Sequence, residues 1–125
     1  MDYIKFDRSR RYVVKDPVHV DPENFGKVFR FPATDGLSDL RLGLSDFEDG
    51  GICAWHRHPT DQICIITEGE CYCAAKDDEG NIIFEVNAQP GDVVIFRPNE
   101  LHIHGALPGK TCSHWAVSYK PLENN

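Results

Sequence analysis

The fold of this chain is decided by residues 50–69, which read GGICAWHRHPTDQICIITEG. His56 and His58 stand two positions apart, so on an extended strand both imidazoles point to the same face. The next residues, 62–67, form a β-rich run without helical periodicity. The stretch therefore predicts an extended segment that carries paired histidines and leads into a strand.

The same strand-like pattern continues along the rest of the chain. Turns rich in glycine, proline and aspartate separate the β-rich runs. These runs cover residues 3–6, 12–14, 27–31, 39–44, 62–67, 71–75, 81–86, 92–96, 101–104 and 113–119. Short strands at regular spacing with such turns predict an all-β sandwich or barrel.

Composition and charge exclude several classes of function. The chain has 125 residues, the size of one domain, and its net charge of -7 disfavours nucleic-acid binding, which needs a basic surface. No apolar run approaches the roughly 20 residues of a membrane span, and the first residues lack the apolar stretch of a secretory signal. The five cysteines form no CxxC pair and are odd in number. We therefore expect a cytoplasmic protein with reduced thiols and neither a nucleic-acid nor a membrane partner.

Histidines recur at strand spacing further along the chain. His102 and His104 share one strand face, and His114 follows the turn at 107–110 on the return strand. Three strands therefore supply histidines that could converge inside one barrel and chelate a single ion, since imidazole is the commonest metal ligand. The alternative for any single histidine is a hydrogen-bonded core residue.

The spacing of these residues resembles the cupin family. The first cupin motif is a glycine, five residues, HxH, three or four residues, a glutamate, six residues and a glycine. Here Gly50, the His56–His58 pair and Gly69 fit this spacing, and Gln62 stands in the glutamate position.

The second cupin motif is matched between Gly91 and His102. Asn99 takes the usual glycine position, which still suits a tight turn, and Ala106 replaces the usual asparagine. The resemblance covers about residues 37–119 and implies a single-domain jelly roll, a double-stranded β-helix barrel with a metal inside.

A narrower resemblance is to the small manganese cupins that include bacterial hydroxynitrile lyases. It is carried by AWHRHPTDQ at 54–62, GDVVIFRPNELHIHGA at 91–106 and SHWAV at 113–117. By this resemblance the metal ligands are His56, His58, Gln62 and His102. The same resemblance makes His104 and His114 supporting or acid–base groups.

The remaining residues are interpreted around this barrel. Residues 1–36 are expected to be an N-terminal arm with strands, a candidate for an oligomer interface, and residues 120–125 a C-terminal tail. We expect a homo-oligomer, a dimer or larger, because open sheet edges are usually covered by neighbours. His19, in the arm, is expected to be an ordinary surface residue.

The proposed ligands are all neutral, so the site keeps the full charge of a divalent ion and favours an anionic ligand. The resemblance favours manganese, with iron, zinc or nickel as alternatives. It implies a metal-dependent lyase of the hydroxynitrile type, in which a substrate hydroxyl is deprotonated and a C–C bond is cleaved. The alternatives are a cupin dioxygenase that uses the same site and a non-catalytic module that binds a small molecule.

Overall fold

Nine β-strands and two short 3₁₀ helices form the described part of the chain, which is residues 1–34, 37 and 39–119 of a computed structural model. The 3₁₀ helices are Arg8–Arg10 and Pro22–Asn24. The strands are β1 (Tyr12–Val13), β2 (Val28–Pro32), β3 (Leu40–Phe47), β4 (Gln62–Gly69), β5 (Cys71–Lys76), β6 (Ile82–Ala88), β7 (Val93–Phe96), β8 (Leu101–Gly105) and β9 (Cys112–Tyr119).

The strands pair into two antiparallel sheets, as expected for a jelly roll. The larger sheet has the order β1-β2-β3-β9-β4-β7, and the smaller has the order β6-β5-β8. The prediction of an all-β jelly roll is confirmed, and nine of the β-rich runs coincide with strands. The prediction for residues 3–6 is wrong, since this segment is not a strand. The tail at 120–125 lies outside the described residues.

The main core lies between the two sheets and is filled by alternate side chains of the strands. In β4, Cys64 and Ile66 are fully buried, whereas Ile65 between them is exposed. This period of two is the pattern of a strand with one face on the core. All five cysteines are buried and free, so they act as small apolar residues.

Two motif positions have a backbone conformation that few residues adopt. Gly69 has a φ of 68°, and a side chain there would collide with the carbonyl oxygen of Thr111. Asn99 has a φ of 61°, which asparagine tolerates better than most residues. The motif spacing therefore reflects turns that the barrel needs.

Residues of the predicted N-terminal arm take part in the larger sheet and the core. The β2 strand pairs along its whole length with β3, from Val28 opposite Phe47 to Pro32 opposite Gly43. Val20 is 1% exposed and belongs to the main core cluster. The boundary at residue 37 and a role for the arm in an oligomer interface stay predictions.

A buried carboxylate fastens the start of the chain to the barrel. Asp46 of β3 accepts hydrogen bonds from Ser113 Oγ at 2.6 Å, Arg11 Nη1 at 2.8 Å and Arg8 Nε at 3.0 Å. Burial raises the pKa of Asp46, but the hydrogen bonds from Arg8, Ser113 and Arg11 outweigh it, so the pKa lies below its usual value. The ionised carboxylate is therefore a stabilising element.

No helix among the described residues has the length and hydrophobicity needed to cross a membrane.

We predict that Asp46→Asn destabilises the fold by about 1–3 kcal/mol, because Arg8 and Arg11 lose the buried carboxylate that they share and keep, among the described residues, only Glu68 and Glu48 as charged partners. This loss is smaller than that expected when one partner of a fully buried ion pair is removed, because Arg8 and Arg11 are partly exposed. Urea unfolding of the variant, the wild type and the exposed control Asp2→Asn measures the effect.

The contribution of Asp46 should also depend on pH. Because the pKa of Asp46 is lowered in the folded state, its stabilisation is present above the unfolded-state pKa of about 3.9 and is lost as the pH falls below that value. The difference between wild type and Asp46→Asn should therefore shrink at acidic pH, and a constant difference would contradict the assignment.

Candidate metal centre

Two of the predicted ligands face each other across a short backbone bridge. His56 and His102 each donate their backbone N–H to the carbonyl of the other, and both N···O distances are 3.0 Å. Directly paired residues in an antiparallel ladder project their side chains to the same side. The two imidazole rings accordingly lie 4.3 Å apart between centroids.

His58 is brought to the same place by the turn of the second motif. The backbone N–H of Asn99 donates to the carbonyl of His58 at 2.8 Å. One candidate ligand atom of each of His56, His58 and His102 lies within 4.8 Å of the others. The structure therefore brings together the three histidines that the spacing singled out.

Hydrogen bonds to the backbone orient two of these rings. Nδ1 of His56 lies 2.6 Å from the carbonyl oxygen of Ala54, and Nδ1 of His102 lies 2.9 Å from that of Glu100. A ring that donates from Nδ1 keeps Nε2 unprotonated, which is the form that binds a metal. Nε2 of His102 is buried and has no hydrogen-bond partner among the described residues.

Gln62, the predicted fourth ligand, opens β4 beside the histidines. Its side chain interacts with the His58 ring, and its buried Oε1 atom lacks a hydrogen-bond partner among the described residues. A buried polar atom without a partner carries a free-energy cost, so such atoms indicate a missing ligand. Three imidazole nitrogens and one amide oxygen form a donor set that fits a divalent transition metal.

Burial keeps the three histidines in the neutral state that coordination requires. It lowers the pKa of His56 to about 4 and that of His102 to about 3. Burial also lowers the pKa of His58, against smaller opposing contributions from Thr60 and Gln62. At neutral pH the imidazoles are thus free of the proton that would compete with a metal.

The two predicted acid–base residues form a buried pair behind this cluster. Nε2 of His114 lies 3.0 Å from Nδ1 of His104, and both rings are almost inaccessible to solvent. Burial, followed by the charge of His114, lowers the pKa of His104, and burial lowers that of His114 to about 4. His104 is the nearer of the two, since its ring lies 5.8 Å from those of His56 and His102. His114 instead contacts Phe47 and His104.

Cys53 is a potential ligand that sequence reasoning missed. Its sulfur and one ring nitrogen each of His56 and His104 lie within 4.8 Å of one another. Burial raises the pKa of Cys53 to about 12, so the side chain is a neutral thiol. Cys53 is three residues from His56, out of phase for a strand, and no periodic pattern would have placed the two side chains together.

His19 is more than the ordinary surface residue that we expected. Its side chain is half exposed, but its ring meets that of His56 edge-on at 5.1 Å. Its carbonyl accepts a hydrogen bond from the backbone N–H of Ala54 at 2.7 Å. This pairing joins segments more than thirty residues apart and leaves no local sequence signal.

An apolar cavity of about 560 Å³ lies between β6 and β7. Its lining includes Phe96, whose ring stacks on that of His102 at 4.1 Å, and Ala75, which pairs with His102 across β5 and β8. The cavity thus adjoins the histidine cluster. A molecule with an apolar part fits this surrounding better than a highly charged one.

Comparison with known sequences identifies the family and one curated relative. The Cupin domain family matches residues 43–117. A protein named (R)-mandelonitrile lyase, from Granulicella tundricola, is 44% identical over 71 residues, which are 57% of this chain and 50% of that protein. The chain thus spans about half the length of the curated relative that it matches.

Solved structures show the same architecture with different activities. A cupin-like protein from Thermotoga maritima has a TM-score of 0.64 and 28% identity, over 74% of this chain and 68% of that one. A polyketide cyclase from Streptomyces resistomycificus has a TM-score of 0.71 and 19% identity, over 96% and 81% of the two chains. A sugar phosphate isomerase from Silicibacter pomeroyi has a TM-score of 0.72 and 19% identity, over 94% and 76%. Because the cyclase and the isomerase share the architecture, the fold leaves the reaction open. The family match over residues 43–117 and the jelly-roll architecture together establish that this chain belongs to the cupin family.

Proposed function

We propose that this protein is a metal-dependent enzyme that acts on a small molecule, most closely a lyase of the hydroxynitrile type. The observation that carries the proposal is the convergence of His56, His58 and His102, together with two buried atoms that have no hydrogen-bond partner among the described residues, His102 Nε2 and Gln62 Oε1. The relative named (R)-mandelonitrile lyase supports the choice of reaction. The match covers half of that relative's length, so its activity is only a proposal for this chain.

The donor set decides which metal and which ligands suit the site. Three neutral imidazoles and a neutral amide cancel none of the charge of a divalent cation, and the amide oxygen suits manganese or iron. We propose manganese, with iron, zinc or nickel as alternatives. When bound, the metal supplies a Lewis acid that polarises a substrate oxygen.

The buried His104–His114 pair is suited to moving a proton. Both rings are neutral at pH 7, and the two facing nitrogens share one hydrogen across 3.0 Å. When His104 donates from Nδ1 to Nε2 of His114, its own Nε2 is an acceptor. His104 can then take a proton at Nε2 and pass the Nδ1 proton to His114.

This proton transfer balances the cleavage of a cyanohydrin. The hydroxyl proton goes to Nε2 of His104, and the O–H electron pair becomes the second bond of a carbonyl. The bond between the carbinol carbon and the nitrile carbon breaks, and its electron pair leaves with cyanide. The protonated pair then returns this proton through Nε2 of His104 to cyanide, so the products are an aldehyde and hydrogen cyanide.

We also propose that the protein is a homo-oligomer that functions in the cytoplasm. The edge strands β6 and β7 expose Ile82, Ile83, Phe84, Val93 and Ile95. A second copy against these edges would cover apolar side chains and close the cavity that adjoins the site. The free, buried cysteines support a reducing compartment.

Replacing one proposed ligand tests the metal centre. We expect His58→Ala to weaken manganese binding by more than about 100-fold, because loss of even a group that supports a ligand costs about 10- to 100-fold. Metal analysis after dialysis, with circular dichroism as a check on the fold, measures the effect. The neighbouring, exposed Arg57→Ala is the control and should load like the wild type. Full metal content in folded His58→Ala would refute the assignment.

We predict that replacing either histidine of the buried pair slows the cleavage of an aromatic cyanohydrin, and that the two replacements do so to different extents. His104→Ala should lower kcat by about 10²- to 10⁴-fold, as expected when a general base is removed. His114→Ala should lower it by about 10- to 100-fold, because His114 acts through His104. His114→Gln keeps a hydrogen-bonding group near His104 but cannot relay a proton, so it should stay as slow as His114→Ala.

Metal content and oxygen consumption decide between this reaction and the alternatives. Wild-type turnover that His104→Ala leaves unchanged, with metal retained, would refute the acid–base role. Oxygen uptake without cyanide release would instead support a cupin dioxygenase. Metal binding without turnover in either assay would support a non-catalytic binding module.

Light scattering at micromolar concentration should show a dimer or a larger assembly. Phe84→Glu places a charge on the exposed apolar edge and should shift the protein towards a monomer. The polar control Asn87→Glu, on the same strand, should keep the wild-type mass. A monomeric wild type would contradict the proposed assembly.

A further inference from the structure

Cys53 lies beside His104, where two hydrogen bonds fix its position. Its backbone N–H donates to the carbonyl of His104 at 3.0 Å, and its sulfur accepts the backbone N–H of His104 at 3.2 Å. The sulfur and one ring nitrogen each of His56 and His104 lie within 4.8 Å of one another, and all three residues are buried. Three donor atoms therefore converge in the interior at these residues, here called the sulfur cluster.

Apolar packing alone does not account for this convergence. Cys53 also belongs to a small apolar cluster with Ala74 and Ile103, which explains why it is buried. That packing does not require two ring nitrogens within reach of the sulfur. With Zn–S and Zn–N bonds of ordinary length, the donors of a tetrahedral zinc lie about 3.3–3.6 Å apart. Small rotations of the side chains would therefore bring the three donors of the sulfur cluster onto one ion.

The donors of the sulfur cluster differ from those of the proposed manganese centre. That centre offers three imidazole nitrogens and an amide oxygen, whereas the sulfur cluster offers a thiolate and two imidazole nitrogens. Thiolate ligands select soft or borderline metals such as zinc, whereas oxygen ligands suit manganese. Three protein ligands leave the fourth position of zinc to water. The thiol proton goes to solvent when zinc binds, since only the thiolate is a ligand.

His56 is shared by the sulfur cluster and the proposed manganese centre. Its Nδ1 lies 2.6 Å from the carbonyl oxygen of Ala54, which only accepts, so the ring hydrogen sits on Nδ1. The neutral ring then has a single nitrogen lone pair for a metal. An ion that takes this lone pair leaves the other site without one of its ligands, so the two sites exclude each other.

We propose that Cys53, His56 and His104 form a second metal site that takes zinc, and that zinc bound there excludes manganese from the proposed centre. Zinc at this site also binds the proposed base, His104, and is therefore an inhibitor. The site itself is independent of the proposed function. The exclusion of manganese rests on the proposed manganese centre.

Cadmium is the probe for the sulfur ligand, because it also prefers thiolate. One equivalent of Cd²⁺ is added to the wild type after its metal has been removed with a chelator. The ¹¹³Cd chemical shift and the thiolate-to-cadmium absorption should both show one sulfur ligand, and excess zinc should abolish both signals. A wild type whose cadmium has no sulfur ligand, or whose signals survive excess zinc, would overturn the proposal without any variant.

Replacement of single cysteines identifies the sulfur. Cys53→Ala should lose the cadmium signals and load manganese within about twofold of the wild type. Cys71→Ala removes a buried cysteine of the main core instead and should keep the cadmium signals. Circular dichroism checks the fold of both variants. Cadmium signals that survive in folded Cys53→Ala would place the ion elsewhere and overturn the proposal.

Replacement of single histidines separates the two sites. His58→Ala removes a ligand of the manganese centre only, so it should lose manganese and keep the cadmium signals. His56→Ala removes the shared ligand and should weaken the binding of both ions by more than about 10-fold. Wild-type cadmium binding in His56→Ala would show that this ring is not a ligand and would overturn the shared site.

Electron paramagnetic resonance of released Mn²⁺ measures the exclusion. One equivalent of zinc should displace manganese from the wild type, and Cys53→Ala should need at least about 10-fold more zinc. An equal zinc requirement, or both ions bound to one chain, would overturn the exclusion. A wild type that binds no manganese but shows the cadmium signals that depend on Cys53 would refute the proposed function and still support the sulfur cluster as a metal site.

Discussion

The reciprocal backbone hydrogen bonds between His56 and His102 are the constraint on which the site depends. The segment that carries His56 is not part of a long strand, yet it runs along the edge of β8 through this bridge and a second one between Ile52 and Gly105. Between them, Cys53 donates its N–H to the carbonyl of His104 at 3.0 Å. The ladder fixes the rotation of the segment, so His56 meets His102 and Cys53 meets His104. Any slip by one residue would turn these side chains away from each other.

A cluster of neutral imidazoles inside a β-barrel is a compromise between stability and chemistry. Burial of polar rings is unfavourable unless each nitrogen has a partner, and Ala54, Glu100 and the His104–His114 contact supply several of them. In the part of the chain that the structure describes, the buried side-chain atoms without hydrogen-bond partners belong to Gln62, His102 and His114. Two of these belong to the proposed ligand set. The fold thus tolerates unsatisfied groups where a ligand can satisfy them.

The beginning of the chain serves both the barrel and the site. Arg8 and Arg11 close over the buried Asp46, whose hydrogen bond to Ser113 ties β3 to β9. A few residues further on, the turn at Asp16 carries His19 to the rim of the histidine cluster. The same segment therefore contributes charged side chains that pair with Asp46 and an imidazole ring that lies against His56. The two cupin motifs by themselves contain neither these arginines nor His19.

The sequence alone predicted the nine strands and the family resemblance, with one false strand at residues 3–6, because strand period and turn chemistry are local properties. The i, i+2 spacing placed His56 with His58 and His102 with His104 on shared faces, and the gaps to Gly69 and Gly91 matched the cupin motifs. The sequence did not predict that His104 lies nearer the three clustered histidines than His114 does, since this depends on how β8 lies relative to β9. The contacts of Cys53 with His104 and of His19 with His56 were missed for the same reason. They arise from packing between distant segments, and only the tertiary structure determines which of those segments touch.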